Sequence, residues 1–212
     1  MDSALQNMNP VLQMLTVMSL FSLLPFVFCC MTSFLRFTIV FSLLKTAMGV
    51  QVPPSIVTIG LCMILTFYTM GGVFEQMYQR GSVPYQKTQN LVVAIDEGSE
   101  PLKEFMLKQT RANDLSFFIN LKRKTMPKSP EDITIWEIAP AYILSELKVA
   151  FEIGFVVFVP FIVLDLVVAN ILLALGMFML SPTIISLPFK LLIFIAVDGW
   201  SLIVQGLVQS YN

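Results

Sequence analysis

The sequence contains no histidine and few charged residues. Asp, Glu, Lys and Arg make up 13% of its 212 residues, about half of their usual share in soluble proteins. Without histidine the chain lacks the commonest general base and metal ligand, and the zinc-protease motif HExxH cannot occur. A phosphate-binding GxxxxGK[ST] loop and a GxSG motif are also absent. We therefore predict that the protein is not an enzyme and binds no cofactor or metal ion.

Cysteine is also scarce, and the sequence begins without basic residues. Cys29, Cys30 and Cys62 all lie in apolar runs, and their odd number argues against a disulfide framework, so we expect small core side chains. No basic residue precedes the first apolar run, so we expect no secretory signal peptide. The net charge of −1 gives no electrostatic reason to expect a nucleic acid partner.

What the chain has in excess is apolar residues, which make up 56% of it. The first 74 residues carry three charges and the last 60 carry three, whereas 11 acids and 10 bases lie between them. This layout predicts N-terminal hydrophobic helices over 1–74, a polar and mainly helical insert over 75–148, and a C-terminal hydrophobic helical hairpin over 149–212. The fold class is therefore predicted to be all-α and membrane-associated.

The lengths of the apolar runs predict membrane-crossing helices. Val11–Leu35, Ile56–Phe74 and Ile153–Leu175 are each long enough to cross about 30 Å of hydrocarbon as a helix. None of them shows the two-residue alternation of a barrel strand. Residues 36–52 are interpreted as a connector, because Pro53 and Pro54 follow and cannot continue a helix.

The polar insert is predicted to lie on the periplasmic side. Residues 98–122 read as one amphipathic helix with Pro101 in its first turn, and the basic run 122–124 that follows is interpreted as a solvated loop. Arg36 and Lys45 in the first connector and Lys190 in the third mark both connectors as cytoplasmic. The insert and both chain termini are then expected on the opposite side.

The last apolar block contains three isolated charges, Asp165, Lys190 and Asp198. An unpaired charge is costly in apolar surroundings. We therefore predict that Lys190 pairs with an aspartate, within the chain or between subunits. The alternative is a lysine whose ammonium group reaches the membrane interface.

The stretch LALGMFMLSP, residues 173–182, interrupts the same block. Gly176 and Pro182 weaken a helix on either side of Met177, Phe178, Met179 and Leu180. Such a cluster is often simple core packing. However, methionine is unbranched and polarizable, so these side chains could also pack around objects of different shape.

Three stretches together resemble the FliP/SctR family of flagellar and type III secretion export-gate proteins. They are TSFLRFTIVFSLLKTAMGVQVPPS over 32–55, EPLKEFMLKQTRANDL in the insert, and the long run from APAYILSELK to FIAVDGW over 139–200. The resemblance implies a pentameric ring, joined by two smaller subunits of the SctS/FliQ and SctT/FliR types, in the bacterial inner membrane. This complex is the portal through which unfolded secreted proteins leave the cytoplasm.

The resemblance also implies roles for the last apolar block. Met177, Phe178 and Met179 match a methionine-rich gasket around the pore, although Phe178 and Leu180 stand where many members have methionine. The helices are expected to bend into hairpins that build a cone partly above the bilayer. The missing signal peptide favours an injectisome over a flagellar system. A small-solute transporter is the alternative, because Asp165 and Lys190 lie near helix-breaking prolines, but we find no internal repeat.

Overall fold

The computed structural model describes residues 10–88, 91–122 and 132–211. Within these ranges the chain forms eight α-helices and no β-strand, which confirms the predicted all-α fold. The helices are α1 Pro10–Met31, α2 Phe34–Met48, α3 Ser55–Thr88, α4 Leu91–Gln109, α5 Ala112–Lys122, α6 Ile135–Ala174, α7 Pro182–Ala196 and α8 Gly199–Gln209. Arg123 and Lys124 of the predicted basic run lie outside the described residues.

The chain divides into two compact units, and neither of them is continuous in sequence. Unit 1 comprises Met1–Leu35 and Met70–Ser145, and unit 2 comprises Arg36–Thr69 and Glu146–Asn212. The long helices α3 and α6 each contribute one part to each unit. The three-part division predicted from the charges follows composition along the sequence, and it stays a prediction.

Unit 1 is built around a hydrophobic core to which α3, α4, α5 and α6 contribute. Its buried members include Met70, Leu102, Met106, Ile119, Ile138 and Tyr142. Helices α3 and α4 approach closely at Gly98, where an added Cβ atom would lie 3.3 Å from both Gly81 Cα and Met77 O. Gly98 therefore lets the two helices pack closely and does not mark a helix start.

The single amphipathic helix predicted over 98–122 is wrong. The structure has two helices, α4 and α5, and Pro101 lies inside α4 rather than in a first turn. The break falls at Thr110 and Arg111, because the Arg111 amide donates to Ser145 Oγ at 3.0 Å instead of to a carbonyl of α4. A long-range partner of this kind leaves no trace in local periodicity.

Helix α6 begins with the glutamate half of a capping box. The backbone amide and the hydroxyl of Thr134 both donate to Glu137 Oε2, at 2.9 and 2.8 Å, which satisfies groups that a helix start otherwise leaves unpaired. The helix then runs for 40 residues through Pro160. The predicted run Ile153–Leu175 is therefore not a separate helix but the second part of α6.

The first predicted span is also interrupted. Helix α1 ends at Met31, and Pro25–Met31 and Phe34–Met48 are inclined by 79°. The predicted connector 36–52 is mostly helix α2, because its apolar residues Phe37, Val40, Phe41 and Leu44 are buried on one face.

Among the described residues, Ser55–Pro84 and Ile135–Ala174 are long and apolar enough to cross a membrane. The number rises to four if each bent pair, α1 with α2 and α7 with α8, forms one span. The second pair is bent by 63°. This count agrees with the predicted membrane association and rests on length and composition only.

Candidate functional site

The stretch 173–182 forms a tight turn between α6 and α7. The Gly176 amide donates to Leu173 O at 3.1 Å and the Met177 amide donates to Leu172 O at 2.9 Å. This pair of bonds is a Schellman motif, which satisfies the last carbonyls of α6 and needs a left-handed residue at its centre. Gly176 supplies that conformation with a φ of 75°. The helix therefore ends where the sequence indicated.

The side chains after this cap are exposed and apolar. Met179 is 99% exposed and Phe178 is 77% exposed, and about half of each of Met177 and Leu180 is exposed. Ser181 is the N-cap of α7, and Pro182 occupies its first turn, where a missing N–H costs nothing. We call residues 175–181 the apolar turn. Within its own chain it presents thioether and aryl groups to the outside.

A buried charge cluster joins the two helices that carry the apolar turn. Lys190 of α7 is 2% exposed, and its Nζ lies 2.7 Å from Oδ2 of Asp165 on α6. Ser186, one turn before Lys190, donates from Oγ to the other oxygen of the Asp165 carboxylate. The cluster thus fixes α7 against α6 below the turn. Among the three predicted charges, Asp165 and Lys190 are brought together.

Lys190 also ties α7 to the end of α2. The amides of Gly49 and Val50 donate to Thr46 O and Lys45 O in a second Schellman motif, with a φ of 70° at Gly49. The carbonyl of Ala47 is left over, and it accepts from Lys190 Nζ at 3.0 Å. A cation is favourable at this position because the C-terminal end of a helix carries a partial negative charge.

Asp198 is not part of this cluster. It lies between α7 and α8 in the left-handed conformation, with φ and ψ both 51°, and its side chain makes no capping hydrogen bond. Asp198 is exposed. Within the described part of the chain Asp198 has no ion-pair partner. Of the two aspartates predicted as candidate partners of Lys190, Asp165 is the one that pairs with it.

A second buried charge cluster was missed at the sequence level. Arg36 donates from Nε to Glu146 Oε2 at 2.8 Å and forms a second bond to Oε1, while Tyr211 Oη donates to Glu146 Oε2 at 2.6 Å. The Arg36 guanidinium lies 3.8 Å from the centre of the Tyr211 ring and also donates to Ser210 O at 3.1 Å. The two residues are 110 positions apart, with Arg36 isolated in apolar sequence and Glu146 near the end of the polar insert, so nothing in the sequence connects them.

These contacts weaken the charge argument for orientation. Arg36 and Lys190 are each 2% exposed and ion-paired, so neither marks a solvated cytoplasmic loop. Lys45 is the one of the three basic residues that stays partly accessible. The side on which the polar insert lies therefore stays a prediction.

The described residues define an all-helical membrane protein whose broken helices carry exposed apolar side chains and buried charge pairs. A sequence model of the FliP family matches residues 17–207, and the chain belongs to this family. This confirms the family that the three sequence stretches indicated.

Similar proteins include members from several bacteria. The chain is 45% identical to the flagellar biosynthetic protein FliP of Pectobacterium carotovorum over 97% of this chain and 81% of that protein. It is 42% identical to FliP of Bacillus subtilis over 97% of this chain and 94% of that protein. It is also 42% identical to the Yop proteins translocation protein R of Yersinia pestis over 95% and 96%.

Proposed function

We propose that this chain is a core subunit of a type III export gate in the bacterial inner membrane. Several copies form the entrance pore for unfolded secreted proteins. The similarity to flagellar biosynthetic and Yop translocation proteins over nearly the whole chain supports the coarser part, a component of a flagellar or type III export apparatus. The apolar helices support a membrane location.

The observation that carries the pore assignment is the apolar turn. Met177, Phe178 and Met179 are exposed on a turn whose two helices are fixed to each other by the Lys190 cluster. The cap satisfies the last carbonyls of α6 and so fixes the backbone of this turn, while Phe178 and Met179 stay mostly exposed. Large exposed apolar groups on a fixed support indicate a contact surface.

Ring symmetry would turn this surface into a seal. Every copy places the same side chains at the same height, so thioether and aryl groups from neighbouring copies pack against one another and exclude water. Methionine has three soft torsions and changes rotamer at little cost, so Met177 and Met179 can reseal around different chains. Phe178 is stiffer and sets the narrowest diameter if it faces the axis.

The proposed assembly is a homo-pentamer with smaller subunits of the SctS/FliQ and SctT/FliR types. The polar insert is placed on the periplasmic side. Secretion is driven by other components, because this chain contains no nucleotide-binding loop and is proposed to be a structural subunit and not an enzyme.

A small-solute transporter is not favoured. That alternative depended on Asp165 and Lys190 as ionisable groups available to a transported solute or ion. In the structure both charges are used in a cluster that joins α6, α7 and the end of α2. The names of the relatives point to protein export.

Truncation of the apolar turn tests the pore assignment. Met177→Ala combined with Met179→Ala removes most of the flexible filling and offers no replacement atoms. We expect the variant to assemble and to export protein, but to make the inner membrane leaky to small solutes. The measurement is uptake of a normally excluded dye, beside secretion of a reporter protein. Leucine at the same two positions should leak less but export more slowly, because branched side chains adapt poorly.

The matched control is Phe117→Ala combined with Leu121→Ala, which removes two exposed apolar side chains from α5. This control should not leak. If the Met177 and Met179 variant assembles fully and admits no more dye than the parent, these residues are packing groups and the gate assignment is wrong.

A further inference from the structure

Unit 2 contains eight charged residues, and six of them are used within the chain. Arg36 pairs with Glu146 and Lys190 pairs with Asp165. Lys148 and Glu152, four residues apart on α6, each have an interaction partner. Lys45 and Asp198 are left, and neither has an ion-pair partner among the residues that the structure describes. The two remaining charges have opposite signs, in a unit whose surface is otherwise largely apolar.

Lys45 lies in the wall of a cavity at the end of α2. The cavity has a volume of about 810 Å³ and is open to the outside. Hydroxyl groups line it, from Ser42, Thr46 and Thr58 among others, together with the apolar side chains of Val50 and Ile59. Ser42 and Thr46 lie on the side of α2 away from the buried core residues. The cavity is therefore a recess with a single basic group.

Asp198 lies at the tip of a rigid corner between α7 and α8. Gly199 follows it, and a Cβ atom there would lie 2.3 Å from the Phe194 ring, so the ring fills the space inside the corner. The Phe194 ring in turn packs edge-on against Trp200, with centroids 5.4 Å apart. The corner exposes Ile195 and Val197 beside the carboxylate. It is a protrusion with a single acidic group.

The recess and the corner are complementary in charge and in form. Aspartate is among the residues that tolerate the left-handed conformation, and the Asp198 carboxylate makes no capping bond, so its charge is available to a partner. An ammonium group in a recess beside Ile59 and Val50 is best satisfied by a carboxylate carried on an apolar support, as Asp198 is between Ile195 and Val197. Two different patches of one chain that fit each other make a head-to-tail contact, which closes into a ring when its rotation allows.

We propose that the Asp198 corner of one copy docks into the Lys45 recess of the next copy, and that this contact repeats around the ring. The partner is thus a second copy of this chain. The inference rests on the ring of the proposed function and adds to it which two surfaces meet. It predicts that each copy uses both of its remaining charges, one toward each neighbour.

Cross-linking tests the contact in membranes from cells that produce the whole export complex. Two differently tagged copies of the chain are combined, one with Lys45→Cys and the other with Asp198→Cys, in a background without the three native cysteines. A short bismaleimide is used, because an extended lysine places the two Cα atoms beyond the roughly 7 Å that a disulfide spans. The two tags should become covalently joined. Two copies that both carry Lys45→Cys, or both carry Asp198→Cys, should not.

A double-mutant cycle tests the charge pairing in the same complex. Lys45→Met and Asp198→Asn remove the charges, and asparagine tolerates the left-handed backbone of position 198. Each change should reduce the recovered multimer by about threefold, as expected for a partly exposed pair. The double variant should also reduce the recovered multimer by about threefold in total, because the second change removes a charge that has already lost its partner.

The outcomes separate this contact from the proposed function. If the parent chain forms no multimer, the ring is wrong and the contact with it. If the parent forms a multimer but the mixed cysteine pair does not cross-link, or the two losses multiply to about ninefold, the ring stands and this contact is wrong. The third outcome concerns lipid. If Lys45→Met loses co-purified anionic lipid phosphate and the mixed cysteine pair does not cross-link, the recess binds a lipid headgroup and this contact is wrong.

Discussion

In unit 1 most of the described charged side chains lie at the surface, whereas unit 2 has two ion pairs, Arg36–Glu146 and Lys190–Asp165, whose basic side chains are buried. The Arg80–Glu104 pair of unit 1 is 3.2 Å long, and its side chains are 47% and 57% exposed. The Arg36–Glu146 pair of unit 2 has side chains that are 2% and 0% exposed. Unit 1 does bury Asp114 and Glu137, but Asp114 accepts a hydrogen bond from Ser145 Oγ at 2.8 Å, and Glu137 lies 3.6 Å from the ammonium group of the exposed Lys122.

The apolar side chains show the opposite trend. The parts of unit 1 that build its core expose single aromatic residues such as Tyr78 and Trp136, whereas its helix α1 also exposes apolar residues such as Met14, Met18 and Phe26. Unit 2 exposes successive apolar residues along α6, among them Phe155, Val159 and Leu166, and more along α7. A surface of this kind is stable only against lipid or against other subunits. The charges of unit 2 therefore connect helices to one another, while its apolar residues face the surroundings.

Removal of Arg36 is expected to give the largest effect. Arg36→Ala leaves the carboxylate of Glu146 buried without its cation, and breaking such a pair typically costs about 3–5 kcal/mol. We expect the detergent-extracted complex to lose its native-gel band at a much lower temperature than the parent does. Tyr211→Phe removes a single hydrogen bond to Glu146 and should cost about 1 kcal/mol.

Two further variants sharpen this prediction. Arg36→Met combined with Glu146→Leu removes both charges and should recover most of the lost stability, because apolar residues of similar size can replace a buried pair. Lys108→Ala removes an exposed lysine of α4 and serves as the control. If the Arg36→Ala complex loses its native-gel band at the same temperature as the Lys108→Ala complex, the buried pair contributes no stability, and the contrast between the units loses its main support.

The local features of unit 2 could be predicted from the sequence better than its long-range contacts. Gly176 and Pro182 indicated a break in the helix, because the first adopts a positive φ and the second cannot continue a helix, and α6 ends and α7 begins around them. By contrast, Arg36 and Glu146 are 110 residues apart. No periodicity connects them, so Arg36 was interpreted as a marker of a solvated loop.

In unit 1 one of the two missed helix boundaries could have been predicted from the sequence. Thr134 and Glu137 have the spacing of a capping box and mark the start of α6. The break between α4 and α5 could not be predicted from local sequence, because it depends on the hydrogen bond from the Arg111 amide to Ser145 Oγ. Prediction fails where the backbone bonds to a distant side chain in preference to its own helix.

Removal of Lys190 is expected to have an intermediate effect. Lys190→Ala strands the Asp165 carboxylate and leaves Ala47 O without its donor. The cost should lie below the roughly 3–5 kcal/mol of a fully buried pair, because the Asp165 side chain is 35% exposed. We expect less assembled complex on native gels, and Asp165→Asn with Lys190→Gln should recover part of it. A Lys190→Ala variant that assembles and secretes normally would contradict this.

The surface pair of unit 1 is expected to give the smallest effect. Arg80→Ala removes a pair that is half exposed on both sides, and such pairs contribute only about 0–1 kcal/mol because water and salt already screen the two charges. We expect the native-gel melting temperature and reporter secretion to stay close to those of the parent, and any small shift to disappear when the salt concentration is raised. A buried pair should not respond to salt in this way, so Arg36→Ala measured beside it provides the comparison. If Arg80→Ala destabilised the complex as strongly as Arg36→Ala, burial would not explain the difference between the two pairs, and the Arg80–Glu104 surface would have to be covered in the assembled complex.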